Sequence, residues 1–210
     1  MGFKSKFLNY IGQIRLYSIV DLVLLLLAIN ISRREFFGVI LLHLGFILYL
    51  EFKHQHSYRE KFPSLLWILL ILAGILLYSK IAVIGFLIAS FFYVEKKNTL
   101  FSPLAPVFRG LQYYCIIGGL IGFYTPISFL AGGLIFCRNM AGDFRDVAKD
   151  KKEGLKTLPI IVGFNRNNTY IHLVFLLITS LIWWYLSNLT SIWLLIAYII
   201  EIFSYNITPR

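Results

Sequence analysis

The sequence predicts an all-α membrane protein, a polytopic transmembrane helix bundle of about eight spans forming one domain over residues 1–210. Three observations carry that expectation. Hydrophobic residues make up 59 % of the chain and charged residues 14 %, with a mean hydropathy of +0.76, more apolar side chain than a globule of this size can bury. Apolar runs approach the ~17–25 residues that a bilayer crossing needs, and they recur along the whole chain. The basic residues fall unevenly between alternate loops, as they do in multi-span proteins.

Taken in order, Lys4, Lys6, Asn9, Gly12, Gln13 and Arg15 precede the first apolar run and form no cleavable signal pattern. Spans are expected at 16–32, 36–52, 63–79, 81–95, 104–124, 126–141, 169–187 and 189–205. Thr125-Pro126 marks either a turn between two spans or a kink within one. Gly118, Gly119, Gly122, Gly132 and Gly133 offer small-residue faces for close helix approach in the fifth and sixth spans. With the N-terminus inside, all of the 20 Lys and Arg except Arg33, Arg34 and Lys80 lie on the inner side. Both termini and the loop 138–168 are therefore expected in the cytoplasm, in a multi-pass cell-membrane protein.

The formal net charge of +10 reflects those inner loops and anionic partners, the bilayer included, rather than nucleic acid. Cys115 and Cys137 lie in apolar segments and read as packing residues. His43 and His172 read as buried, hydrogen-bonded histidines. Asp21 is an intramembrane carboxylate, a functional candidate by default, or an interfacial neighbour of Arg15. The abundant Phe and Tyr residues suit an apolar tunnel or a lipid-facing belt.

One polar island interrupts this chain, Arg138 to Gly163, reading RNMAGDFRDVAKDKKEGLKTLPIIVG. Asp143, Asp146 and Asp150 stand at i, i+3 and i+7, which on one helix aligns three carboxylates along a single face. Like charges so placed repel unless cations intervene, and Arg138, Arg145, Lys149, Lys151, Lys152 and Lys156 crowd the same stretch. Gly154 supplies a helix stop, after which Thr157-Leu158-Pro159 resumes in an extended or turn conformation. The residues alone admit a solvated loop helix whose aspartates offset lysines, or an oxygen-only site for a hard cation, Mg²⁺ before Ca²⁺ or Zn²⁺.

The segment DFRDVAKDKKEGLKTLPI resembles the second aspartate-rich motif of the UbiA-type membrane prenyltransferases, and is most similar to the archaeal geranylgeranylglyceryl phosphate geranylgeranyltransferase branch. The family pattern is met by Arg138, Asp143, Asp146, Asp150, Gly154, Lys156, Thr157, Leu158 and Pro159. The resemblance implies spans around a central cavity and Mg²⁺ held by Asp143, Asp146 and Asp150 as the catalytic carboxylates. It further implies diphosphate contacts from Lys96, Lys97, Arg145 and Lys156, with Tyr93 opening the segment that carries the first two and Arg109 on the same side. The implied reaction is transfer of a prenyl group from a prenyl diphosphate to a lipid or aromatic acceptor, in ether-lipid or quinone biosynthesis. The family's first aspartate-rich motif has no counterpart: the first inner loop reads LEFKHQHSYREKFPS, where Glu51, Glu60, His54 and His56 are the only candidate ligands. That gap gives an alternative reading, an inactive UbiA-like membrane protein that binds prenyl diphosphate or a partner subunit.

Overall fold

A computed structural model describes residues 3–54, 61–63, 65–97 and 100–208. Every regular element among them is helical: α1 Phe3–Ile14, α2 Leu16–Ala28, α3 Arg33–Lys53, α4 Leu66–Tyr78, α5 Val83–Val94, α6 Ala105–Ile121, α7 Pro126–Arg145, α8 Val147–Lys152, α9 Leu158–Ile161, α10 Thr169–Ser187 and α11 Ser191–Ile207. Short 3-10 turns at Glu95–Lys97 and Ser102–Leu104 lie between α5 and α6. Each expected span coincides with a helix, and Thr125-Pro126 proves a turn. The Thr125 hydroxyl accepts the Ser128 backbone N–H, at 3.4 Å, to open α7 with Pro126 in its first turn.

The span count is the point of difference. Three helices, Arg33–Lys53, Ser102–Ile121 and Thr169–Ser187, are long and apolar enough to cross a bilayer by themselves, and a fourth span arises if Phe7–Ile14 and Leu16–Ala28 count as one helix bent by 41°. That bend falls at Arg15, in the left-handed region with φ 57°. At 1.5 Å per residue, α4 and α5, with 13 and 12 residues, reach only about 20 Å of the ~30 Å apolar layer. The sequence hydropathy had run past helix ends that the backbone closes earlier.

The polarity is nonetheless that of a membrane protein. Leu65, Leu69, Leu72 and Leu76 form an exposed stripe along α4, Ile84, Ile88 and Phe91 along α5, and Ile192, Leu195, Ile199 and Ile202 along α11. Asp21, Gln112, Ser180 and Glu201 are fully buried. Apolar outside and polar inside reverses the arrangement that water imposes.

The chain divides into two compact units, residues 1–79 with 179–210, and residues 80–178. In the first, α3 and α4 pack along Gly38, Gly45 and Gly74: a methyl group at Gly38 would stand 2.6 Å from the Tyr78 backbone nitrogen. Several of its buried polar groups bind one another. Glu51 accepts from Arg15 at 3.0 Å and Gln13 at 3.3 Å. His43 meets the Ser18 hydroxyl at 3.1 Å, the hydrogen-bonded histidine expected. The Ser180 hydroxyl contacts both Asp21 and Glu201, so Asp21 is a buried core carboxyl. In the second unit, α5, α6 and α7 pack in antiparallel succession. Gly132 is at the α6–α7 crossing, but its counterpart is Gly110, whose added methyl would meet the Gly132 carbonyl at 2.9 Å, whereas Gly133 faces open space.

Candidate functional site

Antiparallel packing brings the C-terminal ends of α5 and α7 and the N-terminal end of α6 to one end of the second unit. There the polar island folds. The three aspartates do not lie on one helix: α7 ends at Arg145, Asp146 links the two helices, and α8 begins at Val147. Asp143 is thus in the last turn of α7 and Asp150 in α8. The returning chain holds the break open, since the Asn167 side chain accepts the Ala148 N–H at 2.7 Å and the Asn168 N–H donates to the Phe144 carbonyl at 3.0 Å. Phe164 packs edge-on against Phe144, with ring centroids 4.8 Å apart. Capping of α8 by Asn167 compensates the hydrogen bonds that a continuous helix would have made.

Gly154 ends α8 as expected. With φ at 71° it occupies the left-handed position, and the Leu155 N–H returns to the Asp150 carbonyl at 2.9 Å while its own N–H reaches Lys151 at 3.2 Å, a Schellman closure. The chain beyond is extended, Thr157 at φ −69° and ψ 158°, before the single turn of α9. Leu155 and Thr157 are buried and Lys156 between them is exposed, so the extended alternation turns Lys156 away from the side its neighbours pack on.

The break changes the pairing of charge. Arg145 binds its own neighbour Asp146 through two hydrogen bonds, 2.8 Å to Oδ1 and 2.6 Å to Oδ2, a geometry denied to adjacent residues on an intact helix. A further Arg145 nitrogen lies 3.4 Å from His172 Nδ1. The residue expected to bind diphosphate is here the counter-ion of an aspartate. Burial alone would raise the Asp146 pKa, but the hydrogen bond and charge of Arg145, with Lys96 and Lys149, hold it below its ordinary value.

Asp143 and Asp150 sit differently, both buried. Burial pushes the Asp143 carboxyl up to about 7, against the opposing charge of Lys96 and with repulsion from Asp150 and Asp146. Burial likewise pushes Asp150 up to about 6, again against Lys96. Lys96 is the cation shared by all three. Tyr93 holds its pKa above the ordinary value, over the cost of burial and with help from Asp143, Asp150 and Asp146, and its ammonium stands 5.3 Å from the Tyr93 ring centroid. The Lys97 side chain lies outside the described residues, as do Glu60 and His56. Arg138 is buried on α7.

A polar layer that sequence reasoning missed supports this end. Arg109 donates to Gln112, Gln112 donates to Ser90 at 2.6 Å, and Ser90 donates to the Phe86 carbonyl at 2.7 Å. The Arg109 guanidinium lies 5.2 Å from the Tyr113 ring centroid and 5.9 Å from that of Tyr93, and the Tyr93 hydroxyl accepts from Asn139 at 3.2 Å. The only sequence signal was the isolated polar residues Ser90, Gln112 and Asn139 within apolar helices, which is what buried networks leave behind.

Among the described residues no three His, Cys, Asp or Glu side chains form a group able to hold a metal ion. The Asp143 Oδ2 atom is buried and accepts no hydrogen bond, and a Mg²⁺ ion usually takes one or two carboxylates, its remaining positions going to water and substrate phosphate. Glu51, the candidate replacement for the missing first motif, is engaged by Arg15 and Gln13 within the other unit. Compared with protein-family models, curated proteins and solved structures, the chain matches none.

Proposed function

We propose that the protein is a UbiA-type membrane prenyltransferase that moves a prenyl group from a prenyl diphosphate to a lipid or aromatic acceptor with Mg²⁺. The observation that carries this reading is Asp143, buried with an unsatisfied carboxylate oxygen, within electrostatic reach of the Lys96 ammonium, whose charge acts on all three aspartates. Anion and cation partners stand together at one end of an apolar helix bundle, the arrangement a diphosphate–cation complex requires.

In this reading Asp143 and Asp150 would hold the cation, which would supply positive charge against the charge developing on the leaving diphosphate. Lys96 would supply a second positive charge to the diphosphate oxygens, with Lys97 and Arg109 contributing as the resemblance implies. Arg145 acts one step removed, fixing Asp146 so that it neither repels Asp143 freely nor swings into the site. The apolar helices exclude water, protecting an allylic cation from hydrolysis. The apolar helices would seat the protein in the cell membrane and house the isoprenoid tail, with the aspartate-rich end and both termini in the cytoplasm. The motif's archaeal flavour favours an ether-lipid acceptor over a quinone precursor.

A second reading, a UbiA-like protein that binds prenyl diphosphate or a partner subunit without turnover, is favoured by one observation. The first inner loop has no aspartate, and its Glu51 is already paired. Equilibrium binding of geranylgeranyl diphosphate to the purified protein, with Mg²⁺ or with chelator, tests what the two readings share. Mg²⁺-dependent binding lost in Asp143→Ala is expected, and binding indifferent to both metal and Asp143 would exclude them together.

A further inference from the structure

Asn139 and Asp143 are one turn apart on α7, so their side chains leave the same face with Cβ atoms roughly 5–6 Å apart. Each presents a buried oxygen, Asn139 Oδ1 and Asp143 Oδ2, that accepts no hydrogen bond. Buried acceptors are almost always satisfied, and two neighbouring exceptions require an explanation. The Asn139 amide is held by its nitrogen, which donates to the Tyr93 hydroxyl at 3.2 Å, leaving its oxygen directed away from that bond.

We propose that Asn139 Oδ1 and Asp143 Oδ2 are joint ligands of one divalent cation, with Tyr93 as the residue that orients the amide. A group that accepts electron pairs from both oxygens satisfies them at once, and amide oxygens are ordinary ligands of hard cations. The assignment also answers why the aspartates form no three-carboxylate cage. Asp146 is clasped by Arg145, so the second oxygen beside Asp143 comes from the preceding turn and not from the following one. A neutral amide ligand adds a donor oxygen without adding negative charge to that of the carboxylates. The Tyr93–Asn139 bond is the outer-shell contact expected for a metal ligand, fixing its orientation before the ion arrives.

The inference rests on the cation site of the proposed function, and a direct binding measurement separates the two. Mn²⁺ is titrated into the purified protein in detergent without prenyl diphosphate, and free Mn²⁺ is followed by its paramagnetic resonance signal. The wild-type protein is expected to bind, Asp143→Ala to lose binding, and Asn139→Ala to weaken it by about tenfold or more. Tyr93→Phe, which keeps the ring and removes the hydroxyl, is expected to weaken it by about tenfold, the range of outer-shell substitutions. Asn139→Asp keeps an oxygen in place and is expected to bind at least as tightly as wild type. Thermal unfolding of each variant with chelator establishes that it is folded, and if Asn139→Ala is not, Asn139→Asp and Tyr93→Phe carry the test. Wild-type affinity in folded Asn139→Ala, or weaker binding in folded Asn139→Asp, would overturn the role of Asn139 while leaving the Asp143 cation site standing. Absence of Mn²⁺ binding by the wild type would overturn both.

Discussion

Arg145 holds Asp146, the residue next to it in the chain, by two hydrogen bonds of 2.8 and 2.6 Å. That contact exists only because the helix breaks between α7 and α8, and it divides the three aspartates into one neutralised group and two buried ones. Arg145→Ala therefore removes a structural clasp. It is expected to cost about 1–3 kcal/mol of stability, the range of hydrogen bonds to charged groups, seen as a lower unfolding temperature with chelator present. A stability unchanged from wild type, with a loss confined to diphosphate affinity, would instead make Arg145 a ligand.

The two buried aspartates make the cation-free protein pH-sensitive in a defined direction. Asp143 is raised from 3.8 to about 7 and Asp150 from 3.8 to about 6, so the folded state holds more protons than the unfolded one between those limits. Stability from these groups falls as pH rises from about 4 to about 7. Asp146 is lowered and acts oppositely, losing its contribution only as pH falls below its ordinary range. With chelator present, the unfolding temperature is expected to be higher at pH 5 than at pH 8, and Asp143→Asn is expected to flatten that difference.

Glu51 is the residue that composition would nominate to replace the missing motif, yet it is bound to Arg15 at 3.0 Å with 2 % of its side chain exposed against 24 % for Arg15. Removing one partner of a buried pair costs about 3–5 kcal/mol, and the solvent exposure of Arg15 reduces this to about 2–3 kcal/mol here. Glu51→Ala is expected to lower the unfolding temperature and leave Mn²⁺ affinity unchanged. A folded Glu51→Ala protein with weakened Mn²⁺ binding would make Glu51 part of the cation site.

Helix packing is tested by a pair of glycines. A methyl group at Gly38 would lie 2.6 Å from the Tyr78 backbone nitrogen, which cannot yield as a side chain can, so Gly38→Ala is expected to cost about 1–3 kcal/mol. Gly133 has nothing within 4 Å of an added methyl, and Gly133→Ala is expected to be neutral or to stabilise by up to about 1 kcal/mol. Unfolding temperatures of the two variants check the contrast.

Helix identity and order were legible because long apolar runs separated by Gly, Pro and charge leave little choice, and Gly154 announced its own helix stop. Span lengths were less so. Hydropathy carries through Ile29, Asn30 and Ile31 after α2 has closed, and through Ser79 after α4, because apolar residues in a turn count the same as those in a helix. The aspartate spacing was legible and its geometry was not. The i, i+3, i+7 pattern presumes a continuous helix, whereas the break at Asp146 is enforced by Asn167 and Asn168 from a segment some twenty residues on. Asn139 stood out only as a polar residue in an apolar helix, because its significance lies in Tyr93 and Asp143 around it, a relationship between two helix ends that no local pattern encodes.

The central claim, that Asp143 and Lys96 serve departure of a diphosphate, is tested most directly by turnover. Purified protein in detergent is given geranylgeranyl diphosphate, a panel of glycerol-phosphate and aromatic acceptors, and either Mg²⁺ or chelator, and released diphosphate is measured. The account predicts release that requires Mg²⁺ and acceptor and that falls by at least about a hundredfold in Asp143→Ala and in Lys96→Ala, the scale on which removal of one charge-stabilising group is felt. No release from the folded wild-type protein with Mg²⁺ and any acceptor, or release unaffected by either substitution, would contradict it.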